Sequence, residues 1–271
     1  MSAWTMLGYG WVVMAVLMLG LWWVQWRTRN AGIVDVAWAA GVGLLGVLFA
    51  VASVDGDPAR RLIIAAMAGL WGLRLAGHLA RRVRAEAEDG RYRALRESWG
   101  ARTQPYMFIF FQIQALWAVM FAVPMLVAAR NPLPGPTWLD LLGVAVWLVA
   151  IGGELLADRQ LRRFKADPAN RGGVCQVGLW RYSRHPNYFF EWVHWWAYVC
   201  LGLPGPYGWI TLLGPVVMLV FLLKITGVPP TEARALASRG DAYRRYQQTT
   251  SAFFPWPPKR DPENAPGGHP R

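Results

Sequence analysis

Long apolar runs broken by short polar clusters set the rhythm of this 271-residue chain. A bilayer core takes about 20 apolar residues per helix. On that measure seven runs predict membrane spans: about Trp4 to Trp26, Gly32 to Val54, Arg61 to Ala80, Pro105 to Ala128, Thr137 onward, Pro186 to Leu203, and Tyr207 to Ile225. The breaks between them carry turn chemistry, such as Asp55-Gly56-Asp57-Pro58, Asn131-Pro132-Leu133-Pro134-Gly135-Pro136 and Pro204-Gly205-Pro206. The fifth run continues as an amphipathic helix through Arg162 and Lys165, and Thr231 to Tyr246 reads as a short polar helix. The expected architecture is an all-α integral membrane protein with one domain over residues 1–254 and a disordered tail over 255–271, rich in proline and glycine.

Composition agrees: 55% of residues are hydrophobic, 16% are charged and 17 are tryptophan. The net charge of +12 raises the question of nucleic acid, and its distribution answers it. With the N-terminus outside, only Arg60, Arg61 and Arg130 fall on the outer side and Arg74 and Lys224 within spans. All other lysines and arginines fall at Arg27–Ala31, Arg81–Gln104, Arg159–Arg184 and the C-terminal tail, as the positive-inside rule requires. The charge therefore faces the cytoplasm across a membrane, and no nucleic-acid partner is expected. Arginine far outnumbers lysine, which fits a bacterial inner membrane; guanidinium also suits phosphate and carboxylate recognition. The first apolar run lacks a basic leader and a small-residue end, so it is read as a retained helix. Cys175 and Cys200 have no metal-ligand spacing. Gly41-Val42-Gly43-Leu44-Leu45-Gly46 matches a dinucleotide fingerprint but lies within a span with no preceding strand, so close helix packing is expected there.

Four polar constellations interrupt the apolar pattern. Arg181-Tyr182-Ser183-Arg184-His185-Pro186-Asn187-Tyr188 leads into Glu191 and His194, and a helix from Pro186 places Asn187, Glu191 and His194 on one face. Glu191-x-x-His194 resembles half of a di-iron site, but the four histidines of the chain are too few to complete one, and no metal is expected. Glu154, Asp158 and Arg162 share a face at the end of the fifth span, followed by Lys165. An i,i+4 ladder accounts for Asp158 and Arg162 but not for Glu154, a full turn deeper. Arg74, His78 and Arg81 share a face of the third span; interfacial snorkelling fits Arg81 better than Arg74. Asp35 stands alone near the start of the second span. It is either a cap or ion pair to Arg29 or Arg27, or a protonated acid able to donate to a carbonyl oxygen. Together these groups describe a polar, arginine-rich pocket open to the inside and walled by spans that admit a lipid-like substrate from the bilayer.

At Arg184-His185-Pro186-Asn187-Tyr188 with Glu191, the chain resembles the C-terminal domain of the steroid 5α-reductase family and the related sterol reductases. Gly152-Gly153-Glu154-Leu155-Leu156-Ala157-Asp158 through Arg162, and Tyr246 to Phe254-Pro255-Trp256, extend the likeness over a family-like half of about residues 105–254. Asp35-x-x-Trp38 and Glu88-Asp89-x-Arg91-Tyr92 carry it further, as in bacterial members. The resemblance implies a seven-helix enzyme that uses NADPH to reduce the Δ4 double bond of a 3-ketosteroid or similar lipid enone. Hydride goes to C5 and a proton to C4, with the 3-oxygen polarised by hydrogen-bond donors. It implies Asp158, Arg162, Lys165, Arg171, Asn187 and Glu191 as cofactor contacts, with Tyr182, Arg81, Glu154, Arg184 and His185 beside them. Asp35 and His78 are the nearest matches to the family's ketone-polarising carboxyl and tyrosine. The chain departs from the family pattern at Glu154, where an asparagine is frequent, and at Gly227-Val228-Pro229-Pro230, where a histidine cluster is frequent. The arginine-histidine-proline core also occurs in S-adenosylmethionine-dependent lipid and isoprenylcysteine methyltransferases, which is the alternative reading. A non-enzymatic lipid receptor is the third.

Overall fold

The computed structural model describes residues 1–85 and 88–259. Among them every regular element is helical. Six stretches are long and apolar enough to cross a membrane: Ala3–Thr28, Ile33–Ala52, Pro58–Ala85, Gly90–Ala129, Trp138–Ala166 and Gly208–Arg239. The expected span at Pro186 is a helix of 17 residues, Pro186–Gly202. At 1.5 Å per residue it rises about 26 Å, short of a hydrocarbon core of about 30 Å. The chain divides into two compact units, Met1–Val144 with Tyr198–Gly214, and Ala145–Ala197 with Pro215–Arg271.

The first unit begins with α1 (Ala3–Thr28), opened by the Ser2 hydroxyl accepting from the Thr5 N–H. Helices α2 (Ile33–Ala52), α3 (Pro58–Ala85), α4 (Gly90–Trp99) and α5 (Thr103–Ala129) follow, and α5 packs against both α1 and α2. The glycine pattern on α2 is a packing surface. A Cβ at Gly43 would lie 2.8 Å from the Gly72 Cα on α3, and one at Gly46 would lie 2.6 Å from the Ala68 Cβ. Small residues let the two backbones approach, the interface expected where lipid offers no hydrophobic drive between helices. Val42, Leu45, Phe49, Ile64, Trp71, Phe111, Phe121 and Met125 fill the interior.

At the far end from α4, Arg60 is buried against Asp140 in the first turn of α6 (Trp138–Ala166), with Nε 2.7 Å from Oδ1 and Nη2 2.9 Å from Oδ2. Arg60 Nη1 donates to the carbonyls of Asn131 and Leu133. Asn131 Nδ2 in turn donates to the Leu201 carbonyl at 3.0 Å. The proline-rich turn is thus stitched to the start of α3 and of α6 by a fork that leaves few guanidinium donors unmet.

The second unit holds the rest of α6, then the loop over 167–185 with two 3-10 turns, Pro168–Asn170 and Gly178–Arg181. Next come α7 (Pro186–Gly202), which belongs to this unit as far as Ala197, α8 (Leu213–Val220), which belongs to it from Pro215 and runs into a π turn at Phe221–Ile225, α9 (Val228–Arg239) and α10 (Asp241–Thr249). Phe190 of α7 lies over Gly153 of α6, where a Cβ would come within 2.4 Å of its ring. The single polar helix expected over Thr231 to Tyr246 is two, because Gly240 adopts φ 51°, a conformation that glycine takes at little cost. Ala235, Tyr243 and Tyr246 form a small core with Val174 and Leu236. The tail expected to be disordered from Pro255 is held through Lys259: the Trp256 N–H donates to the Tyr182 carbonyl and the Lys259 N–H to the Thr249 carbonyl. Residues 260–271 of that tail lie outside the described residues.

Candidate functional site

Candidate polar groups gather in two clusters, one in each unit. In the first unit Asp35 occupies the first turn of α2, where the helix N-terminus favours a negative charge. It is not alone. Tyr92 Oη donates to Oδ1 at 2.6 Å, and Arg91 Nη2 reaches Oδ2 at 2.9 Å. Neither Arg27 nor Arg29 supplies these contacts. Both carboxylate oxygens therefore accept, whereas the sequence reading allowed Asp35 the role of a protonated donor. The hydroxyl donor in the cluster is Tyr92, which is buried against Phe110 at a ring distance of 5.9 Å.

Local chemistry explains how Tyr92 arrives there. Asp89 caps α4 by accepting from the Arg91 N–H at 2.9 Å and also holds Arg91 Nε at 3.2 Å. Glu88 accepts from Arg96 at 3.1 Å and from the Ala31 N–H at 2.8 Å, and Arg96 reaches Gln25 Oε1 at 2.8 Å. These bonds fix α4 to the ends of α1 and α2. One helical turn beyond Asp35, Trp38 meets Trp71 and Phe121 edge-on at ring distances of 6.5 and 5.2 Å. The two motifs Asp35-x-x-Trp38 and Glu88-Asp89-x-Arg91-Tyr92 are thus halves of one contact. His78 is half-buried on α3. Arg81 is exposed, its Nε donating to the Gly77 carbonyl of its own helix.

In the second unit Glu154 and Asp158 are buried on α6, while Arg162 and Lys165 beyond them are exposed. Asn187, in the first turn of α7, donates Nδ2 to Asp158 Oδ1 at 3.5 Å, so the two predicted contacts meet. Glu191 is buried one turn on, its Oε1 3.9 Å from His194 Nδ1. The start of α7 is set by Pro186 at the first helical position and by the Ser183 hydroxyl, which accepts from the His185 N–H and donates to the Phe253 carbonyl.

Arg184 and His185 serve the fold directly. Arg184 Nε meets Glu232 Oε1 at 2.7 Å, and its Nη1 donates to the carbonyls of Gln247 and Thr250. His185 Nε2 lies 3.3 Å from the same Glu232 oxygen, and its ring stacks on Tyr188. The pair joins the start of α7 to α9 and α10. Tyr246 Oη donates to the Trp180 carbonyl, and Trp180 Nε1 to the Ala157 carbonyl on α6. Burial pushes the Tyr246 phenol above its ordinary pKa and that of Tyr243 up to about 12, so both remain hydrogen-bond donors at neutral pH. Tyr182 is exposed, with its carbonyl held by Trp256.

Lys165 and Arg171 line a cavity of about 240 Å³ together with Phe164, Asn170, Cys175 and Arg239. Among the described residues no carboxylate lines it. Burial raises the Cys175 thiol above its usual range, so it remains a protonated wall residue at neutral pH. The sequence reading missed three residues here: Tyr92, Glu232 and Arg239. Tyr92 stood in a quoted motif without a role. Glu232 and Arg239 stood in a polar helix whose partners no local spacing reveals.

A family model described as "Protein of unknown function (DUF1295)" matches residues 21–250. The chain therefore belongs to that family. It is also similar to the uncharacterized protein C594.04c of Schizosaccharomyces pombe (strain 972 / ATCC 24843). That match is 26% identical over 270 residues and covers 87% of this chain and 75% of that protein. No solved structure matches the chain.

Proposed function

We propose that this DUF1295 member is an NADPH-dependent membrane reductase acting on the Δ4 double bond of a 3-ketosteroid or a similar lipid enone. One observation carries the reading. The motif residues quoted for the likeness to steroid 5α-reductases form bonded groups within each unit, Asp35 with Arg91 and Tyr92 in the first, and Asp158 with Asn187 in the second. In this reading α7 is a short seventh span, the N-terminus is outside, and the arginine-rich loops face the cytoplasm.

The donor set of the second unit suits a dinucleotide. Lys165 and Arg171 line a cavity with no acid among its described lining residues, which fits phosphate. Asp158, Asn187 and Glu191 offer carboxylate and amide groups for ribose hydroxyls and a carboxamide, with Arg162 at the exposed end of the same α6 face. The cofactor, when bound, supplies the hydride that goes to C5 of the enone. Tyr92 polarises the 3-oxygen: its hydroxyl turns from Asp35 to the ketone, while Arg91 keeps the Asp35 carboxylate paired. Charge moving onto that oxygen as C5 gains hydride is met by the turned hydroxyl, an effect of about 3 kcal/mol per donor. A proton at C4 completes the reduction.

Detergent-solubilised protein incubated with NADPH and a Δ4-3-ketosteroid tests this through loss of the NADPH absorbance and the mass of the product. Oxidation matched by a product two hydrogens heavier is expected. No oxidation across a panel of lipid enones, with saturable S-adenosylmethionine binding, would instead assign the chain to membrane methyltransferases.

A further inference from the structure

We propose that the cavity beside α6 is a phosphomonoester site and that Arg239 sets its selectivity, separating a nucleotide that bears an extra phosphate from one that does not. The proposal rests on the nucleotide dependence above and deepens it by assigning the discriminating residue.

Two neighbouring segments and one distant in sequence bring cations to the cavity: Lys165 near the end of α6, Arg171 in the following loop, and Arg239 as the last residue of α9. Like charges gathered without a lining acid repel one another, and a phosphate dianion relieves that repulsion. Elsewhere in this unit the chain balances a buried arginine directly, as Arg184 with Glu232. At the cavity the cations stand at its rim, Lys165 and Arg171 exposed and Arg239 half-buried.

Arg239 is placed rather than trailing. Its Nε donates to the Gly173 carbonyl at 2.9 Å and its Nη1 to the Ser238 hydroxyl at 3.3 Å. Gly173 follows Gly172, whose φ of 79° is a left-handed conformation that glycine adopts at little cost, and its N–H donates to the Asn170 carbonyl. The same tight turn thus carries Arg171 and receives Arg239. Leu161 and Phe164 add an apolar wall. A bare anion needs no such wall, whereas the ribose and base of a nucleotide use one.

Calorimetry on the intact solubilised protein tests the assignment with adenosine 2′,5′-bisphosphate, adenosine 5′-monophosphate and inorganic phosphate as probes. The bisphosphate should bind the wild type about tenfold or more tighter than the monophosphate, the scale of one charge-assisted contact. Arg239→Gln should remove that difference, and Arg239→Lys should keep part of it. Equal affinity of the wild type for the two nucleotides overturns the proposal, as does full discrimination in Arg239→Gln. If Arg239→Gln does not fold, Arg239→Met replaces it, with the same two outcomes. Vesicles containing phosphatidic acid form a further arm. If they displace the bisphosphate and bind more tightly than it does, the site belongs to a lipid phosphate and the nucleotide assignment falls. Phosphate-dependent binding without enone reduction leaves this proposal standing and removes the reductase reading. NADPH-driven reduction with Arg239→Gln still discriminating does the reverse.

Discussion

The two units treat their cations differently. In the first, Arg60 has Asp140, Arg91 has Asp35 and Asp89, and Arg96 has Glu88. Each of these three guanidinium groups is matched to a carboxylate by the fold, while Arg61 and Arg81 bond backbone carbonyls. In the second, Arg184 is matched to Glu232, yet Lys165, Arg171 and Arg239 converge on a cavity that, among the described residues, no carboxylate lines. A matched charge holds elements together, while a convergence of one sign favours an outside anion. Counting arginines along the chain does not separate the two uses.

The sharpest way to break this contrast is to exchange an arginine on each side. Arg60→Ala leaves Asp140 buried without its cation and should cost about 3–5 kcal/mol of stability. Arg171→Ala, on an exposed loop, should change stability by less than about 0.5 kcal/mol while weakening NADPH binding. Thermal unfolding in detergent beside a binding titration reads both, and equal destabilisation would erase the distinction. Tyr92→Phe is the next largest expected effect. Turnover should fall on the order of a hundredfold, the loss of one carbonyl donor, with NADPH affinity unchanged. A parallel loss of NADPH affinity would remove Tyr92 from the carbonyl role.

Glu232→Gln sharpens the second half of the comparison. It keeps the shape but removes the charge that Arg184 and His185 share, and should cost about 1–3 kcal/mol, read as a lower unfolding midpoint. The smallest expected effect concerns Asp57. The Arg60 N–H, foremost, and the Gly135 N–H hold its carboxyl below the ordinary 3.8, against the opposing pull of partial burial. A depressed folded value gives stability that is complete above the unfolded value and lost as pH falls through the folded one. Between about pH 5 and about pH 3 the wild type should therefore lose more stability than Asp57→Asn. An identical loss in both would show that the cap makes no such contribution.

Helical segments were legible because their causes are local. The run from Gly32 to Val54 is α2 at Ile33–Ala52, and the start expected at Pro105 lies within α5 at Thr103–Ala129. Apolar length, turn residues and the glycine face on α2 all act within a few residues of one another. The third span runs on to Ala85 because its basic end remains helical, and the length of α7 depends on where the Pro204-Gly205-Pro206 turn closes it. Asp158 on α6 and Asn187 on α7 were legible as polar positions on their own helices, whereas their contact with each other was not.

Partnership was another matter. Tyr92 lies 57 positions from Asp35, Asp140 lies 80 from Arg60, and Glu232 lies 48 from Arg184. No helical period carries across such separations. Which cation meets which acid depends on the helix ends that packing brings level. That packing turned Asp35 from a lone acid into the acceptor of a tyrosine. It also turned Arg184 and His185 toward Glu232 and set Arg239 beside Lys165 and Arg171. The chain alone established an all-helical protein with several helices long and apolar enough to cross a membrane. Assigning each charged group to the fold or to a ligand required the packed helices, because that difference lies in a neighbour distant in sequence.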